Sequence, residues 1–135
     1  MTDTTPKTAA QLVADARAQI ENLGPDAVAA ELARGDALLV DLRESEERAQ
    51  QGTIAGAVHA PRGMLEFYAD PTSPYHRAEF DPERRVILHC ASGGRSALAA
   101  VTLQQMGYTN VAHLEGGLRA WKEQGLPVAQ GAPQS

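Results

Sequence analysis

The sequence predicts an α/β fold: a three-layer α/β/α arrangement around a central, mostly parallel sheet of about five strands. Three observations point there. Short apolar runs without polar alternation recur at 37–42, 57–60, 86–90 and 111–115, the pattern of strands buried on both faces. Stretches with helical spacing lie between them. The two kinds of segment alternate along the chain, as parallel βαβ connections require.

The elements follow in order. Residues 1–19 read as an N-terminal helical extension. Its first seven residues are polar, Thr8 and Gln11 have the spacing of a capping box, and Val13, Ala16 and Ile20 share one face. Residues 20–23 suit either the end of that helix or a short strand. Pro25 fits a first helical position, Val28 and Leu32 continue the apolar stripe, and Gly35 supplies the stop. The strand "ALLVDL" follows, then the shorter "AVHA". The segment from Arg62 to Arg85 breaks the rhythm. It holds most of the aromatic residues and the prolines Pro71, Pro74 and Pro82, and reads as a short helix plus an irregular excursion. "VILHC" is the next strand, and Ala99, Leu103 and Met106 mark the helix behind it, with Gly107 as its stop. "VAHLE" and the helix "GLRAWKEQG" close the pattern, with Trp121 in the core. Residues 129–135 read as a flexible tail, so the main domain is expected over 20–128.

The bulk properties narrow the function. A chain of 135 residues suits one domain. A formal net charge of −5, with no run of lysine or arginine, argues against nucleic acid or anionic membrane as a partner. The N-terminus lacks an apolar signal region, and no apolar stretch is long enough to span a bilayer. The single cysteine excludes an internal disulfide and a multi-thiolate metal site. A cytoplasmic protein without metal or cofactor is the expectation. Oligomeric state leaves no trace in the sequence.

That cysteine carries the chemistry. Cys90 ends an apolar run, Ala91, Ser92, Gly93 and Gly94 form a loop of small residues, and Arg95 and Ser96 open a helix. Ligands of open parallel sheets bind beyond the carboxyl ends of the strands. Glycines let successive N–H groups turn inward, and a helix N-terminus adds partial positive charge, so an anion is stabilised there. A thiolate is such an anion, and so is a persulfide on it. Arg95 is placed to steer anionic donors, and Ser92 can add a hydroxyl donor. Asp41 and Arg43 read as an internal ion pair or turn brace supporting the site. Neighbouring strand residues point to opposite faces, so His89 should face away from the Cys90 side chain. Neither His59 nor His89 is assigned as a base, and His76 and His113 receive no role. Glu115, Gly116 and Gly117 should shape the rim of the loop, and Met64, Phe67 and Tyr68 are candidates for a pocket wall.

Four blocks in order resemble the rhodanese (thiosulfate sulfurtransferase) homology domain. They are "LLVDLRESEE", "GTIAGAVHAP", "HCASGGRSALAA" and "MGYTNVAHLEGGLRAW". Thr53 stands where many relatives have histidine or arginine, and the N-terminal helix and the aromatic excursion are less typical of minimal members; the resemblance implies the rhodanese-like three-layer fold. The resemblance covers roughly 20–128 and implies a mechanism. The Cys90 thiolate would take the outer sulfur of a donor, thiosulfate or a persulfide-carrying protein, and pass it to a thiol or cyanide acceptor. Three other readings stay open. One is a phosphatase-like or arsenate-reductase-like cysteine enzyme, although Cys90 to Arg95 is C-x4-R, one residue shorter than the usual C-x5-R. Another is a non-catalytic binding module. The last is a relay taking its sulfur from another protein.

Overall fold

The computed structural model describes residues 5–130. Thr8 starts the first helix: its hydroxyl accepts the Gln11 N–H at 3.1 Å, and its own N–H donates to Gln11 Oε1 at 2.7 Å, which satisfies two otherwise unpaired groups reciprocally. This helix, α1, spans Ala9–Arg17. The Asn22 amide then donates to the carbonyls of Arg17 and Ile20 at 3.0 and 3.2 Å. These bonds turn the chain out of the helix, so the ambiguous segment becomes a strand, β1, Glu21–Leu23. Helix α2, Pro25–Arg34, opens on its proline and ends on Gly35 at φ 83°, a left-handed cap that glycine takes without strain.

Strand β2 is Leu38–Asp41, followed by helix α3, Ser45–Gln51. The sequence gives no sign of α3, because none of its residues is buried and it carries no apolar stripe. Its start is held by Glu44 and Glu47, each side chain bonding to the backbone N–H of the other. Strand β3 is Val58–His59. The excursion contains a 3₁₀ turn at Arg62–Met64 and helix α4, Leu65–Ala69. Strand β4 is Val86–His89, one residue shorter than expected, so Cys90 is the first loop residue and not the last of the strand. Helix α5, Gly94–Gln105, strand β5, Val111–Leu114, and helix α6, Gly117–Glu123, complete the order.

The five strands form one parallel sheet in the order β1-β5-β4-β2-β3. Leu38, Val40, Leu88 and Val111 pack on one face with Ala99, Ala100 and Leu103 of α5. Leu39, Ile87 and Leu114 pack on the other with Val28 of α2 and Leu118 and Trp121 of α6. With both faces covered, β2, β4 and β5 are buried at every position, which explains their unbroken apolar runs.

Two boundaries differ from the sequence reading. Helix α1 lies against α5 and buries Ala16, so the N-terminal extension belongs to the packed unit from residue 9 onward. At the other end Ala129 forms an antiparallel bridge with Thr53, through N–H···O bonds of 2.8 and 3.1 Å. Ala129 is therefore fastened to the domain, not part of a free tail, and residues 131–135 lie outside the described residues. The Trp121 indole N–H donates to Pro127 O at 2.9 Å, guiding this segment back along the domain. Among the described residues, no helix is long and apolar enough to cross a membrane.

Candidate active site

Cys90 sits where β4 gives way to α5, at the carboxyl end of the sheet. Its Sγ accepts the N–H of Gly93 at 3.2 Å and of Ser96 at 3.4 Å. The Ser96 donor belongs to the first turn of α5, where N–H groups have no partner within the helix. Gly93 has φ 104°, and a Cβ there would come within 3.1 Å of the Gly116 nitrogen. Only glycine fits this turn without strain. The cysteine is buried, at 1% exposure.

A second segment holds the loop from outside. The N–H of Leu118 donates to Cys90 O at 2.9 Å, and that of Arg119 to Ala91 O at 3.1 Å. To make these bonds Gly117 presses its backbone onto the loop. A Cβ on it would lie 2.6 Å from both the Cys90 and the Ala91 carbonyl oxygens. The carbonyls are thereby drawn toward α6, while the Gly93 and Ser96 amides face the sulfur. Gly117, Leu118 and Arg119 form this clamp, and Gly116 abuts Gly93 beside it, while Glu115, expected at the rim, pairs with Arg17 instead.

Arg95 lies in the first turn of α5. Its guanidinium is closed on Glu47 of α3, with N–O distances of 2.8 and 2.9 Å, so its charge is balanced before any anion arrives. The pair is well formed: the Arg95 hydrogen bonds hold the Glu47 carboxyl at about 2. Behind it, Asp41 and Arg43 form a buried ion pair. The Arg43 backbone N–H and Nε both reach Asp41 Oδ1 at 3.0 Å, and one terminal nitrogen reaches Oδ2 at 2.8 Å. That nitrogen also donates to Gly52 O at 2.8 Å, and Arg48 Nε adds a bond to Asp41 Oδ2 at 3.1 Å. Burial pushes the Asp41 carboxyl up, but the Arg43 hydrogen bonds and the neighbouring His89 and Arg43 charges together outweigh it and the net direction is down.

Ser92 is exposed on the loop, and Ala91 borders a cavity of about 390 Å³ with Glu47 and Gln51 of α3 and Leu118, Arg119 and Lys122 of α6. Met64, Phe67 and Tyr68 do not line it; Phe67 instead stacks edge-on against Tyr75, 6.3 Å between centroids. The His89 ring lies beside Asp41, its Nε2 at 3.7 Å from Oδ2 and without a hydrogen-bond partner. His59 Nε2 meets Arg43 O at 2.6 Å. Among the described residues no group of His, Cys, Asp or Glu could hold a metal ion.

One residue was missed. His113 Nδ1 lies 2.8 Å from Ser96 Oγ, and Ser96 Oγ lies 3.6 Å from Cys90 Sγ. Alternation puts Leu88 and Cys90 on the same side of the sheet, and Leu88 is registered with His113. The clue needed was the adjacency of β4 and β5, which the sequence does not state.

The rhodanese-like domain profile matches residues 24–124, spanning the loop, its clamp and the Asp41–Arg43 brace. The chain belongs to the rhodanese-like domain family. A sulfurtransferase of Allochromatium vinosum is 39% identical over 93 residues, covering 69% of this chain and 78% of that protein. A thiosulfate sulfurtransferase structure from Pseudomonas aeruginosa superimposes with a TM-score of 0.74 at 28% identity, over 93% of this chain and 23% of that one. A Rhodopseudomonas palustris structure, described as a possible tyrosine phosphatase, reaches a TM-score of 0.87 at 39% identity, over 95% of this chain and 98% of that one.

Proposed function

We propose that this rhodanese-like protein is a sulfurtransferase that carries a sulfane sulfur as a persulfide on Cys90. The observation that carries the reading is the pair of N–H groups, from Gly93 and Ser96, aimed at Sγ within a six-residue Cys90–Arg95 loop. The Cys90 thiolate attacks the outer sulfur of thiosulfate. A bond from Sγ to that sulfur forms as its bond to the sulfite sulfur breaks, and the electron pair leaves on sulfite. A thiol or cyanide then takes the outer sulfur and the Cys90 thiolate returns. Electrons balance within the two displacements, so no external oxidant enters. A persulfide-carrying protein would deliver the same sulfur by the same attack. Gly93 and Ser96 position the anion, Gly94 starts the helix, and Ala91 and Ser92 form the mouth.

The Rhodopseudomonas palustris neighbour motivates one rival, phosphate-ester hydrolysis through Cys90. A phosphoryl group needs donors for three equatorial oxygens, whereas here two backbone N–H groups meet one sulfur and Arg95 is occupied by Glu47. The deciding experiment is intact-protein mass spectrometry after thiosulfate treatment. The mass should rise by one sulfur atom, fall back on reduction, and stay unchanged in Cys90→Ser. A parallel assay should find thiosulfate:cyanide transfer and negligible aryl phosphatase activity. Faster Cys90-dependent phosphate release than sulfur transfer would establish the rival.

A further inference from the structure

We propose that His113 is the proton partner of Cys90, acting on the sulfur through the Ser96 hydroxyl. The inference builds on the reading of Cys90 as the nucleophile. It rests on the directions of a chain of hydrogen bonds, which the surrounding groups fix.

The chain begins at Asn22. Its amide nitrogen donates to the carbonyls of Arg17 and Ile20, which settles the amide orientation and turns Oδ1 toward His113 Nε2, at 2.8 Å. An amide oxygen only accepts, so Nε2 carries a proton. In the neutral imidazole Nδ1 is then the acceptor, and the Ser96 hydroxyl donates to it at 2.8 Å. The hydroxyl's other acceptor, Gly93 O, is more distant, at 3.3 Å. With its proton on Nδ1, Ser96 Oγ offers a lone pair to the Cys90 thiol at 3.6 Å. The order is S–H to Oγ, O–H to Nδ1, and Nε2–H to Asn22.

Moving two protons along this chain reverses its polarity. The thiol proton passes to Oγ, and the hydroxyl proton passes to Nδ1. The products are a thiolate and an imidazolium, with the Ser96 hydroxyl now donating to sulfur. No proton enters or leaves, and the sulfur gains a third donor beside the two backbone N–H groups. A persulfide formed on Cys90 keeps its negative charge near the same imidazolium.

The groups facing His113 support this role. Glu115 Oε2 lies 3.6 Å from Nε2, and Arg17 of α1 closes on Glu115 at 2.7 and 3.0 Å. Strand β1 contributes the uncharged Asn22, and α5 contributes Ser96. Burial holds the His113 imidazole below its ordinary titration range, partly offset by Glu115. The neutral ring selected by Asn22 and Ser96, with Nδ1 as its acceptor, is the form that can take a proton from the thiol. His113 acts through Ser96 and is a positioning residue, distinct from the nucleophile.

The test has two arms. In the first, the His113 ring is titrated by NMR in the native protein and after Cys90 is capped with iodoacetamide, a neutral adduct. Removing the ionisable thiol should shift the His113 midpoint by about half a pH unit or more; an unmoved midpoint overturns the proposal. In the second, the rate of Cys90 alkylation is followed against pH. His113→Asn keeps an oxygen able to accept from Ser96 but cannot hold a proton. It should move the profile upward and slow alkylation at pH 6 about tenfold. Ser96→Ala, which cuts the path and leaves His113 in place, should do the same. Profiles superimposable on the native one in either variant overturn the proposal, and if neither variant folds, the native titration decides alone. Loss of coupling with sulfur transfer intact refutes this inference only; coupling without any sulfur transfer refutes the sulfurtransferase reading only.

Discussion

Both terminal nitrogens of Arg95 rest on the two carboxylate oxygens of Glu47, at 2.8 and 2.9 Å. The cation at the start of α5, just beyond the cysteine loop, is thus balanced by a carboxylate of α3. Glu47 is a partly exposed member of this pair, and such pairs contribute about 0.2–1 kcal/mol.

Glu47→Gln keeps the oxygen that caps α3 but removes its charge. Arg95 then presents an unbalanced cation beside the loop. The KM for thiosulfate should fall about two- to tenfold, with the gain fading as ionic strength rises. Steady-state kinetics at two salt concentrations would check this. A KM that rises instead would show that Glu47 serves to orient Arg95.

Stability should decline on mild acidification. Burial pushes both His89 and His113 below their ordinary value of 6.5. The unfolded chain therefore binds more protons than the native one below that value, and stability rises with pH through this window. The melting temperature should drop progressively as pH falls below about 6.5. His89→Phe, which also removes an unpartnered buried nitrogen, should flatten part of that slope. A calorimetric series from pH 8 to about 5 measures it; equal slopes in both proteins would assign the effect to other groups.

Breaking the buried Asp41–Arg43 pair should be expensive. Arg43→Met leaves the Asp41 carboxylate at 0% exposure with Arg48 as its remaining arginine partner and the His89 ring at 3.7 Å. The expected loss is about 3–5 kcal/mol, read as a lower urea midpoint. A loss below about 1 kcal/mol would mean that Arg48 compensates fully.

Two glycine substitutions separate strain from collision. Gly125→Ala has φ 73° and free space around a new Cβ, so it should cost about 1–2 kcal/mol and leave chemistry intact. Gly117→Ala adds a collision with the Cys90 and Ala91 carbonyls. It should displace the loop and reduce sulfur transfer about 100-fold. Comparable activity in the two variants would show that the clamp does not position the loop.

Much of this was legible in the sequence, and the exceptions share a cause. Strands such as Val86–His89 announce themselves because both faces are buried. The Cys90 loop is visible because small residues and glycines cluster between a strand and a helix. Helix α3 left no periodicity because it buries nothing, and with it the Glu47 partner of Arg95 was hidden. His113 was passed over because its partners come from distant segments, Asn22 and Ser96. Short-range patterning reports what an element buries, and it is silent on which elements become neighbours.

The clamp from α6 bears on how the protein comes into being. Strand, cysteine and following helix are contiguous, yet the carbonyls of Cys90 and Ala91 take N–H donors from the distant Leu118 and Arg119. A chain emerging from the ribosome reaches its thiol well before the segment that organises it. During that interval Cys90 is an ordinary cysteine on an unfinished sheet. The loop's final geometry is thus reached only once α6 has been made, and a truncated chain ending before Gly116 would display the thiol without the segment that holds its loop.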